Sequence, residues 1–294
     1  GKMINSGLIV NQGFEFMLYS TPVQTKDFTF DLNINLSRNV SKVKELADGV
    51  DYLFFNGDAN FPINVGTRVG HRLGEIYAKN LYKRDENGNM IVNKQGRPTK
   101  VSGEDAFQYT LDHPIGNIEP DLLMSVSPSF TYKGFTLSAL FDMKFGGDIV
   151  SVSEAMATST GLAARTANRG NAENGWKIVA PGVTADGTVN STAMNAQRYY
   201  TSMSGMAEEF VYDASFIKLK ELSLGYSFPK SILKKTPLTS LNVAFVARNL
   251  AYLMKHTPGT SPEGGYDTSM FSQAIDYMSV PYTRTFGLSI NLGF

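Results

Sequence analysis

Residues 122–145 read LLMSVSPSFTYKGFTLSALFDMKF, and Leu122, Met124, Val126, Pro128, Phe130 and Tyr132 alternate there with Ser125, Ser127, Ser129 and Thr131. After Lys133-Gly134 the order resumes, with Phe135, Leu137, Ala139, Phe141, Met143 and Phe145 in one phase. A two-residue period belongs to a strand, since a helix cannot align six such residues. The junction predicts a tight hairpin. Outward from it, FTFDLNINL (28–36) and the closing RTFGLSINLGF (284–294) alternate without a break, the latter placing Phe286, Leu288, Ile290, Leu292 and Phe294 opposite Gly287, Ser289, Asn291 and Gly293. ELSLGYSFP (221–229) and LNVAFVARN (241–249) do so with one slip at Val246, and GLIVNQGFEFML (7–18) does so with Ile9 and Met17 out of phase. Seven strands are predicted.

The connections alternate between short and long. YSTPVQTKD (19–27), Lys133-Gly134 and PKSILKKTPLTS (229–240) are short, whereas residues 39–120, 147–210 and 251–281 are long. Such long loops argue against a compact soluble domain and suit a transmembrane barrel, whose turns are short on one side and whose loops are long on the outside. Phe28, Phe130, Tyr132, Phe135, Tyr226, Phe228 and Phe294 sit in the apolar phase beside short turns or the chain end, where an interfacial girdle belongs. The other phase carries Ser, Thr, Asn, Gly and the charges Asp142, Lys144, Glu221 and Arg248, as a wet lumen would. The predicted fold class is all-β: an antiparallel transmembrane β-barrel with long extracellular loops. Seven is odd, and barrels of one chain have an even strand number, so the expectation is the C-terminal part of a larger barrel whose earlier strands lie upstream. The alternative is a soluble β-sandwich, in which a second sheet covers the apolar face.

Composition narrows the functions. With 42% hydrophobic and 18% charged residues, the chain has the makings of a folded protein. Twenty-seven basic and 27 acidic residues cancel, so no overall field favours nucleic acid. There is no cysteine, hence no disulfide, thiolate metal site or cysteine nucleophile. No apolar run reaches the ~20 residues of a membrane helix, and the start lacks the pattern of a signal peptide. A mean hydropathy of −0.16 suits a barrel or a soluble protein.

Catalytic chemistry finds no foothold. His71, His113 and His256 are isolated, no metal-ligand spacing occurs, and neither a phosphate-cradling loop nor a nucleophile elbow is present. DENGNM (85–90) has some look of a calcium loop, but Asn87-Gly88 reads as a hairpin turn. Glu208-Glu209 would point apart on an extended chain. The expectation is a non-enzyme without cofactor or metal. Residues 39–120 hold 21 of the 54 charged side chains together with Arg68, Tyr77 and Tyr82, the composition of a recognition surface or of a solvated loop. The second long loop holds the single tryptophan, Trp176, followed by Tyr199 and Tyr200. Aromatic rings stack on sugars and peptide side chains, so Trp176, Tyr199 and Tyr200 are candidate ligand contacts, with packing of the loop onto itself or against a partner subunit as the alternative, and Arg68, Tyr77 and Tyr82 are candidates beside them, with a solvated loop as the alternative.

Five stretches together, MINSGLIVNQGFEF (3–16), FTYKGFTLSALFDMKFGGDIVS (130–151), DASFIKLKELSLGYSFP (213–229), ARNL (247–250) and YTRTFGLSINLGF (282–294), resemble the C-terminal third of a SusC/RagA-type TonB-dependent outer-membrane receptor. The resemblance implies a 22-stranded barrel with an N-terminal plug in the outer membrane of a Gram-negative bacterium. It further implies a SusD-like surface lipoprotein as partner, energy from TonB through the part that precedes this chain, and glycans or peptides as cargo. Phe286, Leu288, Ile290, Leu292 and Phe294 resemble the terminal signal read by the barrel-assembly machinery. TPGTSPEGG (257–265) departs from the family, which often has aspartate where this chain has Ser261. A passive porin-like channel and a soluble secreted binding module are the alternative functions.

Overall fold

The structure, a computed structural model, describes residues 7–55, 62–266, 272 and 275–294. Residues 3–6 of the first family-like stretch, and part of the third long connection, lie outside that range. Seven long strands, β1 (Gly7–Gln24), β2 (Phe28–Leu46), β3 (Leu122–Tyr132), β4 (Phe135–Phe145), β5 (Phe216–Ser227), β6 (Ser240–Lys255) and β7 (Thr285–Gly293), form one sheet. They pair in sequence order, and every neighbouring pair is antiparallel.

Register converts the alternation into two faces. Val23, Phe30, Phe130, Leu137, Leu224, Phe245 and Leu288 pair in turn across all seven strands as one apolar row. One residue away, Asp31, Ser129, Ser138 and Ser223 form the matching polar row on the opposite face. No described element covers the apolar face, where Leu224 is 53% exposed and Ile290 55%. A β-sandwich requires a second sheet at that place, so the sandwich alternative is set aside. Six inter-strand steps of ~4.8 Å make this face about 29 Å wide, far beyond the apolar patches that soluble monomers tolerate. Eleven residues of β4 rise roughly 34 Å, or about 24 Å at a tilt of about 45°, the height of an apolar barrel band. The sheet is an arc of barrel wall.

The strands outrun their sequence pattern. β1 reaches Gln24 through a bulge between Ser20 and Val23, where Pro22 is tolerated, so its link to β2 shrinks to residues 25–27. β2 extends to Leu46, β5 begins at Phe216 and β6 reaches Lys255, leaving long connections of 47–121, 146–215 and 256–284. The Lys133-Gly134 hairpin has positive φ at both residues, 47° and 90°, as a two-residue turn between twisted strands demands. Phe28, Tyr132, Phe135 and Tyr226 meet in one register beside it, and the Phe30 and Phe130 rings stack 4.7 Å apart.

The long connections build a second body, the cap, at the other end of the wall. Its first part is a four-stranded sheet in the order Tyr52–Phe54, Ile63–Arg68, Glu75–Ala78, Gly116–Asn117, with helix α1 (Glu104–Asp112) beside it. Its second part holds α2 (Val152–Thr160), α3 (Ala196–Met203) and the paired segments Lys177–Val179 and Ala193–Asn195. Asp148–Ser151, leaving β4, pairs with Val211–Asp213 on one side and with Ile275–Asp276 on the other, so the second and third connections interlock. The fully buried Ile63, Val65, Ile76 and Val150 share one core with Ile275, and Phe210, Tyr199, Tyr200 and Met203 form another. The cap is seated on β2: Val43 donates to the His71 carbonyl at 3.0 Å, Leu73 to Ser41 at 2.9 Å, and the Ser41 amide to the Glu119 carboxylate at 3.2 Å.

Candidate functional site

Three charged clusters organise the polar wall face and the cap above it: one on the wall, one joining wall to cap, and one inside the cap. On the wall, β5 carries a bulge between Leu219 and Glu221 opposite Leu140 and Phe141. The extra residue turns Lys220 and Glu221 to the polar face together, where Lys220 meets Asp142 at 2.6 Å and Glu221 meets Arg248 at 2.7 Å. Three of the charges expected in a lumen lining, Asp142, Glu221 and Arg248, are thus paired across strands.

Higher on β5, Lys218 is 2% exposed, and its ammonium lies 2.6 Å from the Glu263 carboxylate. It stands over the rings of Tyr282, at 4.6 Å, and Tyr252, at 5.2 Å, and the Tyr252 hydroxyl donates to the same carboxylate. Glu263 is held locally by its own amide, which donates to the Ser261 hydroxyl at 3.2 Å. Ser261, where the family often has aspartate, is therefore the turn-forming oxygen of a latch that draws residues 256–266 onto the wall.

Inside the cap, Arg165 joins three segments. It reaches Glu209 at 3.2 Å and Glu154 at 3.6 Å, donates to the Tyr212 hydroxyl, and lies over the Phe210 ring at 4.9 Å. Helix α2 opens on Ser151 as N-cap, whose hydroxyl accepts from the Glu154 amide at 3.1 Å.

The six candidate contacts fall into different surroundings. Tyr77 is fully buried, its hydroxyl donating to Glu75 at 2.7 Å, in an aromatic cluster with Phe54 and Phe107. Burial pushes its phenol well above the usual range. Tyr82 is buried, its backbone amide donating to the Glu208 carboxylate at 2.7 Å, and burial raises its phenol likewise. Tyr199 and Tyr200 are buried on α3 with rings 5.1 Å apart, and burial pushes the Tyr199 phenol up to about 12. Tyr77, Tyr82 and Tyr199 are thus covered by their own chain. Arg68 is partly exposed but tied to Asp112 and, at 3.3 Å, to the Leu111 carbonyl, and it holds the Asp112 carboxyl below its usual range.

Trp176 stands apart at 49% exposure, and it lines a cleft of about 350 Å³ with Tyr200 at one edge. Its backbone is left-handed, φ 56°, a conformation that bulky residues rarely adopt. Two anchors hold it there: the Trp176 amide donates to the Asn171 carbonyl at 2.8 Å, and its carbonyl accepts from Ala196 at 2.9 Å. Asn171 and Asn174 cap each other's amides at 3.0 Å, fixing the loop that carries the ring. Arg169, Asn195 and Gln197, which sequence reading did not single out, complete the lining with Thr158 to Gly161.

Asn87-Gly88 lies in a turn in which the Asp85 carboxylate accepts the Asn87 and Asn89 amides, at 2.9 and 2.8 Å. Among the described residues no group of three metal-ligating side chains converges, and no helix is long and apolar enough to cross a membrane, which says nothing of a barrel. Phe286, Leu288, Ile290, Leu292 and Phe294 are all exposed at the terminal strand.

No protein-family model matches the chain. It is 28% identical over 308 residues to the TonB-dependent receptor P3 of Formosa agariphila, covering 99% of this chain and 29% of that protein. It is 27% identical over 305 residues to the TonB-dependent receptor SusC of Bacteroides thetaiotaomicron, covering 99% of this chain and 27% of that receptor. Among solved structures, the RagAB peptide transporter superposes with a TM-score of 0.66 at 18% identity, covering 98% of this chain and 29% of that one. The RagAB peptide importer in its 'open-open' state gives 0.64 at 20% identity. The chain thus spans under a third of the length of the relatives it matches, and over nearly all of its own length it is similar to TonB-dependent receptors of the SusC/RagA type.

Proposed function

We infer that this chain, similar in sequence and fold to TonB-dependent receptors of the SusC/RagA type, serves nutrient import across a bacterial outer membrane as barrel wall and outward cap. The supporting observation is the apolar row from Val23 to Leu288, bare on one side and backed by a polar row on the other. Only lipid solvates such a face without cost, and only a closed barrel satisfies the sheet edges within it. The wall conducts, the cap selects, and no covalent step is involved.

A surface lipoprotein would be its partner, a reading supported by the similarity to SusC and to the two-component RagAB transporter. Cargo would be glycan or peptide, and energy would come through TonB acting on a part of the receptor outside this chain.

Membrane fractionation with heat-shifted gel mobility tests the barrel. Recovery in the soluble fraction without detergent removes the proposal. Substrate uptake that persists undiminished after TonB is deleted replaces the importer by a passive channel.

A further inference from the structure

We propose that the Trp176 cleft is a binding site for an acidic saccharide, a polyhydroxylated ring carrying carboxylate or sulfate groups. The proposal rests on the import reading for its biological sense, while the site itself is argued from the cap alone.

The cleft joins one flat apolar wall to a rim of groups that both donate and accept hydrogen bonds. Its volume, about 350 Å³, lies within the range of small-molecule sites. Trp176 supplies the flat wall, and the backbone strain at φ 56° is held by bonds on both sides of the residue, so the ring is presented rather than buried. Ser159 and Thr160, whose hydroxyls donate to the Met156 carbonyl at 2.8 and 2.9 Å, offer acceptor lone pairs, Asn195, whose oxygen caps the Arg198 amide at 3.1 Å, offers its N–H groups, and Gln197 offers both, so the rim taken together suits a ligand whose hydroxyls donate and accept. Thr158, fully buried in the same lining, has a hydroxyl with no partner. Neutral sugars would satisfy these features alone.

Charge favours an acid. Among the described residues Arg169 is the one ionised residue in the lining, with no aspartate or glutamate beside it. Its guanidinium donates to the Gly161 carbonyl at 2.8 Å, which covers the carbonyl end of α2 and leaves further N–H donors of its fork for a ligand. The N-terminus of the eight-residue α3 opens onto the cleft at Asn195 to Gln197 with no acidic residue in its first turn. A peptide of equal charge has no planar face of hydroxyl-rimmed C–H groups to lay on the indole.

The test is calorimetric titration of the detergent-solubilised protein with uronate and sulfated tetrasaccharides, their neutral counterparts and tetraglutamate. Binding of at least one acidic saccharide is expected, at least tenfold tighter than its neutral counterpart. Trp176→Ala should weaken it at least tenfold and Trp176→Phe far less. Gln197→Ala, at an exposed position, should weaken it severalfold without altering the melting temperature, which separates a lost contact from a collapsed loop. Arg169→Gln should erase the preference for acid while neutral binding persists. Saturation by none of the saccharides, a preference for tetraglutamate, or affinity indifferent to both Trp176→Ala and Gln197→Ala overturns the proposal. None of these results bears on heat-shifted mobility, so the import reading stands or falls separately.

Discussion

Wall and cap bury their apolar residues by opposite means. The wall has no interior of its own: Phe30, Leu137, Leu224 and Leu288 lie in a surface, and under the proposed function their solvent is lipid. The cap has conventional cores in which Phe210 is 1% exposed and Ile63, Val65 and Ile76 are fully buried. The same residue types therefore carry different penalties in the two regions. In the cap, truncation leaves a cavity, whereas in the wall a polar or charged substitution is the damaging one. Phe210→Ala should cost about 3–5 kcal/mol, confined to the cap. Proteolysis of residues 146–215 would rise sharply while heat-shifted mobility of the barrel stays unchanged, and loss of both together would show that the two regions fold as one unit.

The next expected effect lies where the regions join. Lys218 and Glu263 are a desolvated pair, and removing one partner leaves the other charge buried, at a cost of about 3 kcal/mol. Lys218→Met should release residues 256–266, read as new cleavage there. Adding Glu263→Gln should restore much of the protection, because neither charge is then stranded. A double variant as exposed as the single one would assign the latch to the Tyr252 and Tyr282 rings instead.

The wall contrast is sharpest at consecutive residues of β5. Leu222 pairs with Ala139 midway along the apolar face, and Ser223 pairs with Ser138 on the polar one. Leu222→Arg should cost about 2–4 kcal/mol in denaturant unfolding from bilayers, while Ser223→Arg should be nearly neutral. Equal costs would mean that the two faces see the same medium.

The same contrast explains what could be read from the sequence. All seven wall strands were visible because lipid and lumen impose one residue type on each face, and the period of two survives wherever both solvents are present. The reading stopped where a solvent or the phase changed. Strand β5 was read from Glu221 because the bulge at Lys220 inverts the phase, so Ile217 and Leu219 share a face with Leu222 and Leu224 despite the odd-to-even shift. Residues 39–46 were read as loop because that end of β2 lies against the cap, burying Ser41 and Val43 alike. Cap strands such as Glu75–Ala78 are too short to show a period and depend on contacts distant in sequence, here with Gly116 and Asn117. Trp176 could be picked out as a candidate by being the sole tryptophan. Arg169 and Gln197 could not, since nothing local marks them as its neighbours.

The smallest expected effect concerns Asp148, the first residue of the strand that carries β4 into the cap. Burial is the main influence on its carboxyl and raises it above the usual value, opposed by the Asn117 amide, which donates to it at 2.8 Å. A folded state with a raised carboxyl holds its proton more tightly than the unfolded chain. The resulting penalty is absent below the unfolded value of 3.8, grows as pH rises toward the folded value, and is complete above it. Asp148→Asn removes the charge yet keeps an oxygen for the Asn117 amide, so the variant should melt slightly above the parent at pH 7 and level with it near pH 4. A gain that persists unchanged into acid would locate the effect in packing against Gly116, whose Cα faces this side chain. A loss at pH 7 would mean that the ionised carboxylate is held by Lys144 strongly enough to outweigh burial, making this junction, like the latch at Lys218, an ion pair between wall and cap.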